Sequence, residues 1–159
     1  MFIRADASHE AIVNNLLQLY MHDMSEWFGT VTDNRGRYNF IQYRPSDIVY
    51  LAIDDETEKP AGLAIVATPG NGSYDLEEFF LMRRFRHQGM GERFVAHILS
   101  DLRGDWIVRF FEGNLPAVPF WRKALSAYTS DVTEERESVE GFDWRYFQFE
   151  SPGRRQDKV

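Results

Sequence analysis

The stretch YDLEEFFLMRRFRHQGMGERFVAHILSDL, residues 74–102, changes period partway along, and that change decides the fold. Tyr74 to Met82 read as a strand, rich in aromatic and aliphatic side chains. After Gly91, residues Phe94, Val95, Ile98, Leu99 and Leu102 recur at helical spacing, and Gly104 can stop the helix. Trp106 to Phe111 then read as another strand. Strand, helix and strand over residues 74–111 form one βαβ unit, which places a parallel strand pair inside the sheet.

Upstream of this unit, Phe2 to Ala5 read as a short strand and Ser8 as the N-cap of a helix carrying Ile12, Val13, Leu16, Tyr20, Met24 and Trp27. Gly29 to Pro45 are polar and glycine-punctuated, a loop expected to hold a short helix. Ile48 to Ile53 and Ala61 to Ala67 read as a hairpin joined by the acidic turn Asp54 to Pro60, and the turn Pro69 to Gly72 leads back into the opening stretch. Downstream, a helix is expected over Pro119 to Tyr128 and a last strand over Phe142 to Phe149. Between them Asp131 to Glu140 carry five acids and one arginine, expected to be a solvated loop. The order β-α-β-β-β-α-β-α-β makes an α+β domain over residues 1–151, followed by a polar, frayed tail at 152–159.

Composition narrows the function. At 159 residues the chain suits one core, and 43% hydrophobic with 15% aromatic residues excludes wholesale disorder. The absence of cysteine removes disulfides, thiolate nucleophiles and Cys-ligated zinc. His9, His22, His87 and His97 have no metal-ligand spacing, so no metal is expected. A formal charge of −7 argues against nucleic acid as a partner and is compatible with a cationic one. There is no apolar run of membrane-spanning length and no leader pattern at the N-terminus, so a cytoplasmic protein without a membrane partner is expected.

Chemistry concentrates in Arg86-His87-Gln88-Gly89-Met90-Gly91, at the junction of strand and helix. Glycines at 89 and 91 allow positive φ and close backbone approach, and successive N–H groups beside a helix N-terminus form a cradle for phosphate. The string is neither a Walker A loop, since no Gly-Lys-Ser/Thr follows, nor a full dinucleotide fingerprint.

EFFLMRRFRHQGMGERFVAHIL (residues 78–99) resembles the acetyl-CoA-binding segment of the GNAT superfamily of N-acetyltransferases, whose hallmark is Arg/Gln-x-x-Gly-x-Gly/Ala. WIVRFFEGNLPAVPFWRKAL (residues 106–125) resembles the family's following block, in which Asn-x-x-Ala-x-x-Phe-Tyr is common. The chain is most similar to bacterial members with an E-F-F strand and an N-x-P-A-x-x-F-W turn. The resemblance implies a mixed, mostly antiparallel sheet with helices on both faces, splayed between the strands ending at Met82 and Phe111. It implies direct, acetyl-CoA-dependent transfer to a primary amine, small-molecule or peptide, without a covalent enzyme intermediate; homodimers are frequent in the family. Backbone groups of Phe80, Leu81 and Met82 would pair with the pantetheine arm. Arg86 opens the pyrophosphate loop, and amides of His87, Gln88, Gly89, Met90, Gly91 and Glu92 would hold the diphosphate. Asn114 matches the asparagine that contacts the arm or an ordered water.

Trp121 stands where many members carry a tyrosine that protonates the departing thiolate. An indole N–H is no practical acid, so Trp121 is expected to pack against the pantetheine or line the slot. The substitution also supports an alternative, a non-catalytic CoA- or acyl-CoA-binding module. Tyr128 and Glu112 are weaker candidates for a role at the site. Glu78 is the candidate general base: strand alternation puts it with Leu76, Phe80 and Met82, where partial desolvation would raise its pKa. Two alternatives stand beside this one. Glu78 could pair with an arginine such as Arg109 for structure, or a β-bulge could swap the faces and promote Glu77. Substrate loops are expected at 27–44 and 131–141, neither with a substrate signature.

Overall fold

The computed structural model describes residues 1–39 and 43–151. The expected tail at 152–159 lies outside them, as do residues 40–42 of the segment expected to carry a short helix; the described part of 29–45 has none.

The chain runs β1 (Phe2–Arg4), α1 (Glu10–Phe28), β2 (Ile48–Ile53), β3 (Pro60–Gly70), β4 (Ser73–Leu81), α2 (Met90–Asp101), β5 (Gly104–Phe111), α3 (Ala117–Ser126), β6 (Thr133–Val139) and β7 (Phe142–Ser151). Among the described residues seven strands form one sheet in the order β1-β2-β3-β4-β5-β7-β6. Among the described residues only β4 and β5 pair in parallel, as the βαβ reading of residues 74–111 requires; the other pairings are antiparallel. The fold is α+β with helices on both faces.

Two helix starts differ from the sequence reading. Asp6, not Ser8, caps the first helical segment: its carboxylate accepts from the Ser8 N–H at 2.9 Å, and a 3-10 turn (Ala7–His9) precedes α1. An ionised carboxylate accepts this bond more strongly than a hydroxyl. Helix α3 starts at Ala117 rather than Pro119, with Pro116 as its cap. Proline is tolerated at a helix start because its missing N–H has no partner there anyway.

The larger difference is β6. TEERESV is a strand with every residue exposed, not a loop. It lies at the sheet edge and pairs with β7 from Thr133↔Gln148 to Val139↔Phe142. Backbone pairing holds it, and a charged edge discourages another chain from adding to the sheet.

The core divides across the sheet. On one face α1 contributes Val13, Leu16 and Leu17 against Val49, Leu51, Leu63, Ile65 and Phe80. On the other, Phe94, Val95, Ile98 and Leu99 of α2 and Trp121, Ala124 and Leu125 of α3 cover Val66, Leu76, Trp106, Val108 and Phe147. Strands β3 and β4 approach so closely that a Cβ on Gly62 would lie 2.1 Å from the Phe80 carbonyl oxygen. Gly62→Ala is therefore expected to destabilise by about 2–3 kcal/mol and lower Tm by roughly 5–10 °C. An unchanged Tm in calorimetry would show that the sheet relaxes around the methyl group at no cost.

Candidate active site

Strands β4 and β5 fork. Their pairing runs from Ser73↔Asp105 to Leu76↔Val108 and stops there, although β4 continues to Leu81 and β5 to Phe111. Beyond the fork, Met82 N–H is bonded to the Ala61 carbonyl at 2.9 Å. Antiparallel alternation then turns the Phe80 backbone toward β3 and the Leu81 backbone toward the gap. The Leu81 carbonyl accepts from Arg86 Nε at 2.7 Å.

Glu78 sits just past the last β4–β5 pair. A bulge in β4 decides its company: Ile65 pairs with Glu78 and Val66 with Leu76, leaving Glu77 as the extra residue. Glu78 thus shares the α1 face with Phe80, while Leu76 belongs to the opposite core. The expected grouping with Leu76 is corrected, because one inserted residue resets the two-residue period. Nor does the bulge promote Glu77, which points to surface and pairs with Arg44 at 2.7 Å.

Burial pushes the Glu78 carboxyl up to about 7, with Glu77 adding to the rise and the Tyr20 hydroxyl and Arg109 opposing it. Tyr20, read from the sequence only as part of the helix face, is the polar partner of this carboxylate, and its own pKa is raised by burial and by Glu78. Its ring meets Phe80 edge-on at 5.9 Å. Arg109 pairs with Asp75, not Glu78, and lies over the Tyr146 ring at 5.5 Å. The sequence signal for Tyr20 was its place in the apolar stripe of α1, where a hydroxyl needs a partner.

The loop after β4 forms the second half of the site. His87 and Gly89 adopt φ of 61° and 74°, and Gly89 caps α2. Arg93 N–H to the Gly89 carbonyl, 3.2 Å, starts the helix ladder, so the N–H groups of residues 87–92 precede it. Such a run of donors at a helix N-terminus suits a diphosphate. A Cβ on Gly89 would meet only Arg93 Nη1, at 3.4 Å, so the cradle is open on that side. Gly91 does a different job: its Cβ would fall 2.8 Å from the Phe120 ring, so this glycine lets α2 approach α3. Glu92 is paired with Lys123 at 2.8 Å.

The Arg86 side chain is not part of the cradle. Besides Leu81 it binds Asp23 of α1, which also takes Arg83 at 2.9 Å, so it fastens the end of β4 to α1. Gln88 stabilises the loop itself, with Nε2 donating to the Arg84 carbonyl at 2.8 Å.

Asn114 and Trp121 come from the β5–α3 connection. The Asn114 carbonyl accepts from the Ala117 N–H at 2.9 Å, starting α3. Trp121 is 4% exposed, edge-on to Phe79 at 5.1 Å and against Phe120 at 5.0 Å, in the core on the α2–α3 side of the sheet. Two weaker candidates are elsewhere. Tyr128 faces Ser100 Oγ at 3.1 Å, roughly 15 Å along α2 from the cradle. Glu112 is held by Arg136 and Arg145. His97 packs between Phe2 and Tyr50, and no cluster of metal-ligating side chains exists among the described residues.

The geometry offers a carboxyl raised to about 7 at a fork in the sheet, and a run of N–H groups at the start of α2 of the kind that suits a diphosphate. The model described as the acetyltransferase (GNAT) family matches residues 13–126. No curated protein sequence matches significantly. Among solved structures the fold is similar to a nourseothricin acetyltransferase at 13% identity and TM-score 0.62, covering 96% of this chain and 98% of that one. It is similar to a spermidine N-acetyltransferase from Vibrio cholerae at 10% identity and TM-score 0.65, covering 95% of each chain. A CoA-dependent acyl-homoserine lactone synthase solved with isopentyl-CoA gives 12% identity and TM-score 0.63, covering 98% of this chain and 84% of that one.

Proposed function

Because the chain belongs to the acetyltransferase (GNAT) family, we propose that it transfers the acetyl group of acetyl-CoA directly to a primary amine, with Glu78 as general base. The observation that carries this reading is the half-buried Glu78 placed just past the last β4–β5 pair, its carboxyl raised by desolvation to about 7. An aliphatic ammonium has a pKa near ~10 and must lose a proton before it can attack. A base titrating close to neutral pH is ionised in sufficient fraction and still basic enough to take that proton. Tyr20 favours the ionised carboxylate against the desolvation that opposes it.

The N–H groups of residues 87–92 would hold the diphosphate of CoA, and the Leu81 N–H facing the gap would pair with the pantetheine arm. Phe80 and Met82 spend their backbone groups on β3, which narrows that part of the site to Leu81. Acetyl-CoA supplies an activated acyl group on a thiol of pKa about 8.5, by analogy with cysteine, so departure of the thiolate needs little acid assistance. That suits a chain whose residue 121 is a tryptophan packed in the α2–α3 core, with an indole N–H that is no practical acid. Arg86 positions the loop by holding Leu81 and Asp23 together.

The test is CoA release, followed with a thiol reagent across a panel of primary amines. Amine-dependent release, matched by acetylated amine in equal amount, is expected. Tight CoA binding with no release on any amine would overturn the reading in favour of the non-catalytic binding module.

A further inference from the structure

Asp23, on the second half of α1, takes two cations from the segment that follows β4. Its carboxylate accepts from Arg83 Nη2 at 2.9 Å and from Arg86 Nη2, and its side chain is only 12% exposed. Burial alone would raise its pKa, but the hydrogen bonds from Arg86 and Arg83 outweigh that and hold it below the ordinary carboxylate value. Asp23 is therefore ionised at neutral pH.

Two connections run from it to the site. The first goes through Arg86, whose planar guanidinium donates Nε to the Leu81 carbonyl at 2.7 Å while Nη2 reaches Asp23. Both bonds come from one rigid group, so Asp23 fixes the Leu81 carbonyl and the root of the loop at residues 87–92. With that carbonyl occupied, the Leu81 N–H is the backbone group of this residue left to face the gap. The second connection runs along α1. Tyr20 lies one turn before Asp23 on the same side of the helix, meets the Phe80 ring edge-on at 5.9 Å and is the polar partner of Glu78. Phe80 joins the two routes, because the Arg86 guanidinium sits 5.7 Å from its ring centre. The fully buried side chains of α1, Val13, Leu16 and Leu17, all precede Tyr20, so the second half of the helix depends on half-buried and polar contacts.

We propose that Asp23 is a positioning residue of the active centre, setting the Leu81 edge of the donor site through Arg86 and holding Tyr20 on Glu78 through α1. The inference rests on the acetyl-transfer reading for what the two ends do, bind CoA and take a proton. Glu78 faces Tyr20 from α1, Glu77 from its own strand and Arg109 from β5, while β3 sets the apolar Ile65 opposite it. Of these, Tyr20 is the group that Asp23 can move.

Two measurements on the full chain test this without turnover: CoA affinity by calorimetry, and titration of Glu78 by carbon NMR of labelled glutamate, its signal assigned by loss in Glu78→Gln. Asp23→Asn is expected to weaken CoA binding by about tenfold, a displacement effect transmitted through Leu81 and the loop. It should also move the Glu78 midpoint above about 7, because the carboxylate loses its Tyr20 donor. Removing a negative charge would by itself move that midpoint down, so the two causes have opposite signs. Arg86→Lys keeps the charge but not the planar fork, and should reproduce the loss of CoA affinity even if Asp23→Asn fails to fold. The double variant should bind CoA no more weakly than the worse single one, since both act through one contact. Arg83→Gln, which removes only the more exposed of the two arginines, should have a much smaller effect. A Glu78 midpoint that stays or falls in Asp23→Asn would overturn the proposal, as would unchanged CoA affinity or an equal loss in Arg83→Gln. The expected pattern in a protein that acetylates no amine would uphold the positioning role and sink the transfer reading instead.

Discussion

Glu78→Gln is expected to lower kcat at pH 7 by between about a hundredfold and ten-thousandfold, the range over which a positioned base contributes. The loss should shrink at alkaline pH, where the free amine is abundant without help. In the wild type, kcat should rise as pH passes through about 7, where the Glu78 carboxyl ionises. The same substitution should act on stability in the opposite direction. Because the folded pKa is raised from 4.5 to about 7, the native state binds more protons than the unfolded chain across that window. Stability from this group is fully present below 4.5 and declines as pH rises through about 7. Above that, the buried carboxylate costs on the order of 3 kcal/mol. Glutamine has no such ionisation, so Glu78→Gln should hold or raise Tm at pH 8 while activity collapses. A uniform loss of activity at every pH, with a lower Tm at pH 8, would mean that Glu78 serves the scaffold and not the reaction.

Gly89→Glu is expected to weaken CoA binding by about a hundredfold or more. At φ 74° a side chain is strained by roughly 1–2 kcal/mol, and relieving that strain would turn the neighbouring N–H groups away from a common point. The new carboxylate would also compete with the diphosphate for those donors and for Arg93, whose Nη1 lies 3.4 Å from the would-be Cβ. Gly89→Asn isolates the charge, since asparagine tolerates the left-handed region, and should retain much more affinity. Gly91 should behave differently: its neighbour is the Phe120 ring, so enlarging it should reduce stability before it reduces CoA affinity. Unchanged CoA affinity in a folded Gly89→Glu protein would mean that residues 87–92 are not the diphosphate cradle.

What the sequence determined by itself is local. The β4-loop-α2 segment announces its strand, its glycines and its amphipathic helix within 29 residues, and each signal depends on neighbours close in the chain. The βαβ unit and the hairpin of β2 and β3 are therefore legible, as is the candidacy of the 87–92 loop and of Glu78 for the site. The tertiary structure decided which groups Glu78 meets. A single bulge residue, Glu77, separates it from Leu76, and packing of α1 brings Tyr20 from 58 positions away. Arg109 goes to Asp75 because it lies on β5, beside the still-paired part of β4. Arg86, part of a phosphate-loop pattern by sequence, is claimed by Asp23 of a distant helix. Strand β6 shows the same limit from the other side. TEERESV has no apolar period because neither of its faces is buried, so only the hydrogen bonds offered by β7 make it a strand. Periodicity reports burial, and where burial is absent or a bulge shifts the register, the chain carries no local record of its partners.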